Sequence, residues 1–163
     1  MMEEKSPFVV RPNREEKEAH MRKLLFIAAV VVLLNGVGGC SYLFYPRAGD
    51  FYEKAKGANS VETLMNLIGM METSAKASKG GKGMDQALDD LHNQFHAFDD
   101  SLCCVEKAKR ETPAHALAVT HNKELWAIFK RVWKFQDTQP QRDQHLDLFI
   151  TELQELRGAI QAL

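Results

Sequence analysis

The chain has 163 residues, and its 21 Lys and Arg side chains nearly balance its 22 Asp and Glu side chains, for a formal net charge of −1. This balance leaves no basic stripe of the kind that binds nucleic acid, so we expect no nucleic-acid partner. Beyond residue 45 the chain is long enough for one modest hydrophobic core and too short for two.

Residues 24–45 form a long stretch without any charged side chain, which is unique in this sequence. A helix of this length spans roughly 30 Å, the thickness of the hydrocarbon layer of a bilayer. The stretch therefore predicts a single transmembrane anchor. We expect Tyr45 and its aromatic neighbours to lie at the membrane surface and Pro46 to end the helix.

The charged flanks of this stretch predict its orientation. Arg22 and Lys23 directly precede the apolar start, where positive charge is typical of the cytoplasmic side. Residues 1–23 are thus predicted to form a cytoplasmic tail, and residues 46–163 to lie on the far side of the membrane. The layout is typical of a bacterial inner-membrane protein with a periplasmic domain.

A second interpretation of the same stretch is a secretory signal. From Met21 onward, a charged start, an apolar centre and small residues precede Cys40, and residues 37–40 loosely resemble a lipobox whose cysteine is lipidated after cleavage. Against it, the apolar stretch continues to Tyr45. Both interpretations place residues 46–163 on the same side of the membrane.

Small and polar residues interrupt the second half of the predicted anchor. Gly36, Gly39 and Cys40 permit close helix approach in lipid, and the Asn35 amide can form a hydrogen bond across a helix pair. The pattern indicates lateral association with another transmembrane helix. A glycine-rich helix end near the interface is an equally good interpretation.

Residues 60–163 carry four apolar stripes with the three- and four-residue spacing of amphipathic helices. Cap and break signals separate the stripes at 59–60, 79–83, 112–113 and 137–140. We therefore predict an all-α fold, an up-down four-helix bundle over 60–163 that follows a juxtamembrane linker over 46–59 with one extra helical turn. The stripes consist of Val61, Leu64, Ile68, Met71 and Ala75; Leu88, Leu91, Phe95, Phe98, Leu102 and Val105; Leu125, Ile128, Val132 and Phe135, supported by Leu117, Phe129 and Trp133; and Leu146, Phe149, Leu153, Leu156, Ile160 and Leu163.

The second predicted helix carries the residues best suited to metal binding. His92 and His96 are four residues apart and Cys103 continues their line, a spacing that offers nitrogen and sulfur ligands to Zn²⁺, Cu²⁺ or Ni²⁺. A third ligand from another helix, such as His115 or His121, is needed to complete a site. The alternative is a polar flank with two ordinary surface histidines.

Two further groups have both a structural and a functional interpretation. The adjacent Cys103 and Cys104 either fill space as small apolar residues, bind metal, or link two chains. Trp126 and Trp133 lie seven residues apart and share a helix face, which either packs against a neighbouring helix or presents an aromatic patch to a partner protein.

No sequence motif of an enzyme or of a bound organic cofactor is present. We therefore predict a non-enzymatic accessory or assembly subunit of a membrane or envelope complex, whose partners are the membrane and other membrane or envelope proteins, including a second copy of this chain. The alternative is an extracytoplasmic metal-binding or metal-sensing domain that uses His92 and His96. A third interpretation, a phage or plasmid lysis or transfer factor, has weaker support.

Overall fold

The structure, a computed structural model, describes residues 45–79 and 83–163. All regular secondary structure in these ranges is α-helical, which confirms the predicted all-α class. The helices are α1 (Pro46–Ala55), α2 (Ser60–Ala77), α3 (Met84–Cys103), α4 (Lys107–Arg110), α5 (Pro113–Lys134) and α6 (Gln139–Gln161).

The helices of the described ranges pack against each other in several pairs. α5 packs against α6, α2 against α3, and α1 against both α2 and α3, while α2 also packs against α6. Contacts between His121 and Glu152 and between Phe135 and His145 show that α5 and α6 are antiparallel. Short connections such as residues 135–138 favour this arrangement.

The predicted second and fourth stripes, on α3 and α6, contribute 11 of the 25 buried residues of the core in the part of the chain that the structure describes. Every member of the second stripe is buried, and the fourth stripe is buried from Leu146 to Ile160, with Leu163 partly buried. Phe95, Phe98 and Phe149 are among the largest side chains with no exposed surface. In the first stripe, Leu64, Ile68, Met71 and Ala75 are buried and Val61 is partly exposed. These stripes were therefore predicted correctly.

The buried face of α5 differs from the prediction. Leu117 and Trp133 were assigned to the core, but 50% and 42% of their surfaces are exposed. The smaller Ala118 and the polar Asn122 lie on the buried face instead, together with Leu125, Phe129 and Val132. The Asn122 amide donates a hydrogen bond to Asp99 Oδ1 at 2.6 Å, which offsets part of the cost of burying it.

Residues 46–55 form helix α1 where the sequence predicted a linker with one extra turn. Pro46 begins this helix, because a proline in the first turn lacks only an N–H group that would have no helical partner. Ala48, Phe51 and Ala55 lie on its buried face. The helix therefore belongs to the same core as α2 and α3.

Two of the predicted helix caps are present. The Asn59 side chain accepts a hydrogen bond from the Glu62 N–H, and Thr112 Oγ1 accepts one from the His115 N–H at 3.2 Å. At the start of α6, Thr138 forms no side-chain cap, although Pro140 occupies the first turn as predicted. Local sequence thus fixes the starts of α2 and α5 more firmly than that of α6.

The predicted anchor lies outside the described residues except for Tyr45, as do the tail over 1–23 and the positions Asn35, Gly36, Gly39 and Cys40. Among the helices that the structure describes, none combines the length and apolarity needed to cross a membrane.

The packing predicts a large difference between two apolar positions. Truncation of the fully buried side chain in Phe98→Ala should lower the free energy of unfolding by about 3–5 kcal/mol. Leu117→Ala, at a half-exposed position, should change it by less than about 0.5 kcal/mol. Urea unfolding followed by circular dichroism measures both. Equal losses would show that the buried face of α5 is assigned incorrectly.

Candidate functional site

His92 and His96 lie side by side on α3 and are the centre of the candidate site. Their Nε2 atoms are 3.2 Å apart, close enough for a hydrogen bond in which one ring donates and the other accepts. Both rings are half-buried. The four-residue spacing places them on one helix face, as the sequence predicted.

Aromatic rings surround the two histidines. Tyr45 stacks on His96, with ring centroids 3.7 Å apart, and Trp126 approaches the same imidazole edge-on at 5.0 Å. His92 lies 5.5 Å from Phe129 and 5.4 Å from Trp133 between ring centroids. We call the group of Tyr45, His92, His96, Trp126, Phe129 and Trp133 the aromatic–histidine cluster.

Helix geometry on α3 and α5 brings these rings together. Trp126, Phe129 and Trp133 follow the spacing of one helix face, and this face of α5 lies opposite the histidines of α3. Phe95 stacks on Trp126 at 4.3 Å and meets Phe149 of α6 edge-on. The cluster is therefore continuous with the hydrophobic core.

Burial in this cluster disfavours protonation of both imidazoles. It lowers the pKa of His96 to about 4, with a further contribution from the neighbouring His92. Burial also lowers the pKa of His92, although the nearby Asp89 carboxylate opposes this shift. Both rings are consequently neutral at pH 7, so each presents one donor and one acceptor nitrogen.

The first residues of the described chain are attached to the same face of α3. Arg47 forms ion pairs with Asp89 and Asp90, while Tyr45, two residues earlier, stacks on His96. The Arg47 guanidinium also lies 5.8 Å from the centre of the Phe51 ring. Residues 45–47 are thus fixed on α3 by both stacking and charge.

The predicted metal ligands do not all converge. Cys103 lies seven residues beyond His96, about 10 Å along the helix axis, so it cannot share an ion with the two histidines. His115 Nε2 contacts the Leu102 carbonyl oxygen at 3.3 Å, and His121 contacts Glu152. Within the described ranges, no third Cys, His, Asp or Glu joins the histidine pair.

The cysteine pair lies at the surface at the end of α3. The Sγ atoms of Cys103 and Cys104 are 3.1 Å apart and not bonded to each other. Partial burial of its sulfur, the adjacent Cys104 and the carboxylates of Asp99 and Asp100 raise the pKa of Cys103 to about 12. The protonated thiol is therefore the favoured form of Cys103.

The structure groups three further ligand-type residues that the sequence prediction did not assemble. His121, Glu124 and Glu152 place one nitrogen or oxygen atom each within 4.8 Å of one another. The only signal in the sequence was the three-residue spacing of His121 and Glu124 on α5. Glu152 belongs to α6, and its position depends on helix packing that periodicity alone does not specify.

The two tryptophans proposed as partner-binding residues differ in exposure. Trp126 is half-buried inside the aromatic–histidine cluster, whereas Trp133 lies at its edge with 42% of its surface exposed. Of the two tryptophans, Trp133 is the one that presents a large exposed ring. It remains the better of the two candidates for contact with a partner.

Comparison with known proteins gives no relative from which function can be transferred. No family model, no curated protein and no solved structure matches the chain. Function is therefore argued from the geometry of the described residues.

The lowered pKa values of His92 and His96 predict acid sensitivity. Imidazoles of the unfolded chain, with the ordinary pKa of 6.5, take up protons before His96 does in the folded domain, where its pKa is about 4. The unfolded state therefore binds more protons in this window, and stability should fall as the pH drops from about 6.5 towards 4.

Unfolding of the full chain by urea at a series of pH values measures this loss. His96→Gln should make the dependence on pH shallower than in the wild type. Other titrating groups are common to both proteins, so the difference between the two curves isolates the cluster. Parallel curves would contradict the assignment of a buried, neutral His96.

Proposed function

We propose that this protein is a single-pass membrane protein in which residues 24–45 anchor an extracytoplasmic, up-down four-helix bundle formed by residues 60–163. Its role is that of a non-enzymatic accessory or assembly subunit of a membrane or envelope protein complex. One observation carries the proposal: residues 45–47, where the apolar stretch ends and the domain begins, are packed onto α3 rather than extended away from the domain.

The attachment of residues 45–47 supports a role in positioning. A flexible tether would leave the point of attachment to the domain undefined, whereas stacking and ion pairs restrict residues 45–47 to one place on α3. Arg47 with its two carboxylates adds charge pairing to the aromatic contact of Tyr45. A subunit that holds a partner in a defined place benefits from such a restriction.

The packing of the long helices supports the proposed bundle. α2, α3, α5 and α6 each bury one apolar face, and α2 packs against both α3 and α6. Ion pairs from Glu72 to Arg157 and from Lys79 to Asp147 indicate that α2 and α6 are antiparallel. This order of neighbours is the one expected for an up-down arrangement.

Trp133 supports a partner-binding surface. Tryptophan is enriched at the centres of protein interfaces, where its large ring removes apolar surface from water. Here the ring is partly exposed but backed by His92 and Phe129, so little side-chain freedom is lost on binding. Lateral association through Asn35, Gly36, Gly39 and Cys40 is the corresponding proposal for the anchor.

Fractionation and purification of the full chain test the proposal. We expect the protein to stay in the membrane fraction after a high-salt wash, and protease added on the periplasmic side to digest residues 46–163. The mass of the mature protein distinguishes an intact anchor from cleavage before Cys40. Release by salt, or protection of the C-terminal part from the protease, would contradict the proposed topology.

Purification in mild detergent should recover a second protein at fixed stoichiometry. Trp133→Ala should reduce the amount recovered several-fold, as expected for an aromatic interface residue. Leu148 is also an exposed apolar residue but belongs to α6, so Leu148→Ala serves as the matched control. A monodisperse monomer without any co-purifying protein would overturn the assembly role.

The distance between His92 and His96 favours a second candidate function, binding of Zn²⁺, Cu²⁺ or Ni²⁺. Two nitrogen ligands at 2.0–2.1 Å from one tetrahedral ion are about 3.3 Å apart, close to the 3.2 Å between these Nε2 atoms. Equilibrium dialysis of the full chain with each metal tests it. Binding that His96→Gln does not weaken, or no binding at micromolar metal, removes this candidate.

A further inference from the structure

The interface between α5 and α6 contains a group of three potential metal ligands away from the aromatic–histidine cluster. His121 and Glu124 lie on one face of α5, and Glu152 approaches from α6. His121 Nδ1 and Glu152 Oε1 are 2.5 Å apart, and only 17% and 16% of these side chains are exposed. Glu124 is exposed and lies at the open side of the group.

We propose that His121, Glu124 and Glu152 bind a divalent transition-metal ion, with Zn²⁺ as the representative case. One imidazole nitrogen and two carboxylate oxygens are ligands that such ions accept. The ion would lie between α5 and α6, and water would complete its coordination on the exposed side. This site is independent of the proposed role as an assembly subunit.

The separations of the donor atoms suit a metal ion. Ligands around a tetrahedral ion with bonds of about 2.0–2.2 Å lie about 3.3–3.5 Å apart. The three donor atoms are already within 4.8 Å of one another, so no separation has to shorten by more than about 1.5 Å to reach that spacing. Glu152 and His121 need only to separate by less than about 1 Å to admit the ion in place of their shared hydrogen.

The charge of the group also favours a cation. Over the part of the chain that the structure describes, neither Glu124 nor Glu152 forms an ion pair with a Lys or Arg side chain. The two carboxylates of the group therefore have the His121 imidazole beside them but no Lys or Arg partner. A bound divalent ion would supply the compensating positive charge, with Nδ1 of His121 as the ligand and the imidazole proton on Nε2.

A simple ion pair between His121 and Glu152 is the alternative that the test must separate. In that case Glu124 would have no role, because the pair is complete without it. In a metal site, Glu124 is a ligand, and its removal weakens binding although His121 and Glu152 are both still present. Glu124→Gln is therefore the decisive variant, and its exposed position makes misfolding a minor concern.

Calorimetric titration of the metal-free full chain in detergent with ZnCl₂ tests the proposal. The wild type should bind one Zn²⁺ at this site with an affinity in the micromolar range or tighter. Glu124→Gln should weaken this binding by at least about 10-fold, and His121→Ala by about 100-fold or more. Glu155→Gln makes the same charge change at an exposed position of α6 outside the group and should bind like the wild type.

Titration of His96→Gln in the same experiment assigns any second binding event to the histidine pair of α3. Visible absorption of bound Co²⁺ gives a second readout, and its spectrum should change in Glu124→Gln but not in Glu155→Gln. Absence of Zn²⁺ binding, or equal affinity in the wild type and in Glu124→Gln and His121→Ala, would overturn the proposal. Equal weakening in Glu124→Gln and Glu155→Gln would also overturn it, because that result indicates general charge attraction.

Discussion

Helix α3 buries its whole apolar face, so the polar side chains beside that face need partners on neighbouring helices. Asp99 accepts a hydrogen bond from Asn122 of α5, and Asp89 and Asp90 pair with Arg47 at the start of α1. His92 and His96 pair with each other among aromatic rings. Because buried or half-buried polar groups are costly without such partners, these contacts determine how α1 and α5 lie against α3.

The need of these polar side chains for partners also explains why the buried face of α5 differs from the predicted one. Asn122 satisfies Asp99 only if it points inward, and this orientation brings Ala118 and Phe129 into the core on the same side. Leu117 is then turned outward, and Trp133 reaches only the edge of the core. The apolar Leu117 is left at the surface because a polar pair inside requires this orientation of α5.

Apolar periodicity was sufficient to predict the class, four of the six helices within residues 45–79 and 83–163, and the buried faces of α2, α3 and α6. Periodicity was insufficient where the position of a helix or side chain depends on a contact between residues distant in the chain. Residues 46–55 have too short a pattern to stand out, and their helix is stabilised by Phe51 in a core built mainly from later helices. The pairing of His121 with Glu152 likewise depends on the register between α5 and α6, which a one-dimensional pattern does not contain.

In the candidate site, too, local spacing was predictive and contacts between distant residues were not. The spacing of His92 and His96 predicted two adjacent imidazoles, and the structure places their nitrogens in contact. It did not predict Tyr45 and the tryptophan face of α5 around them, which depend on three helices meeting. Helical spacing alone also did not exclude Cys103 as a metal ligand shared with His92 and His96, although two helical turns separate it from His96.

Two histidine environments in one small domain therefore have opposite electrostatic character. Around His96, aromatic rings and a second imidazole replace water, so the neutral form is favoured and a positive charge is disfavoured. Around His121, two carboxylates provide a negative field with one open side. A cation is consequently better accommodated between α5 and α6 than beside α3. The ring cluster on α3 is better suited to hold residues 45–47 in place, because neutral stacked rings need no counter-ion and tolerate contact with Tyr45.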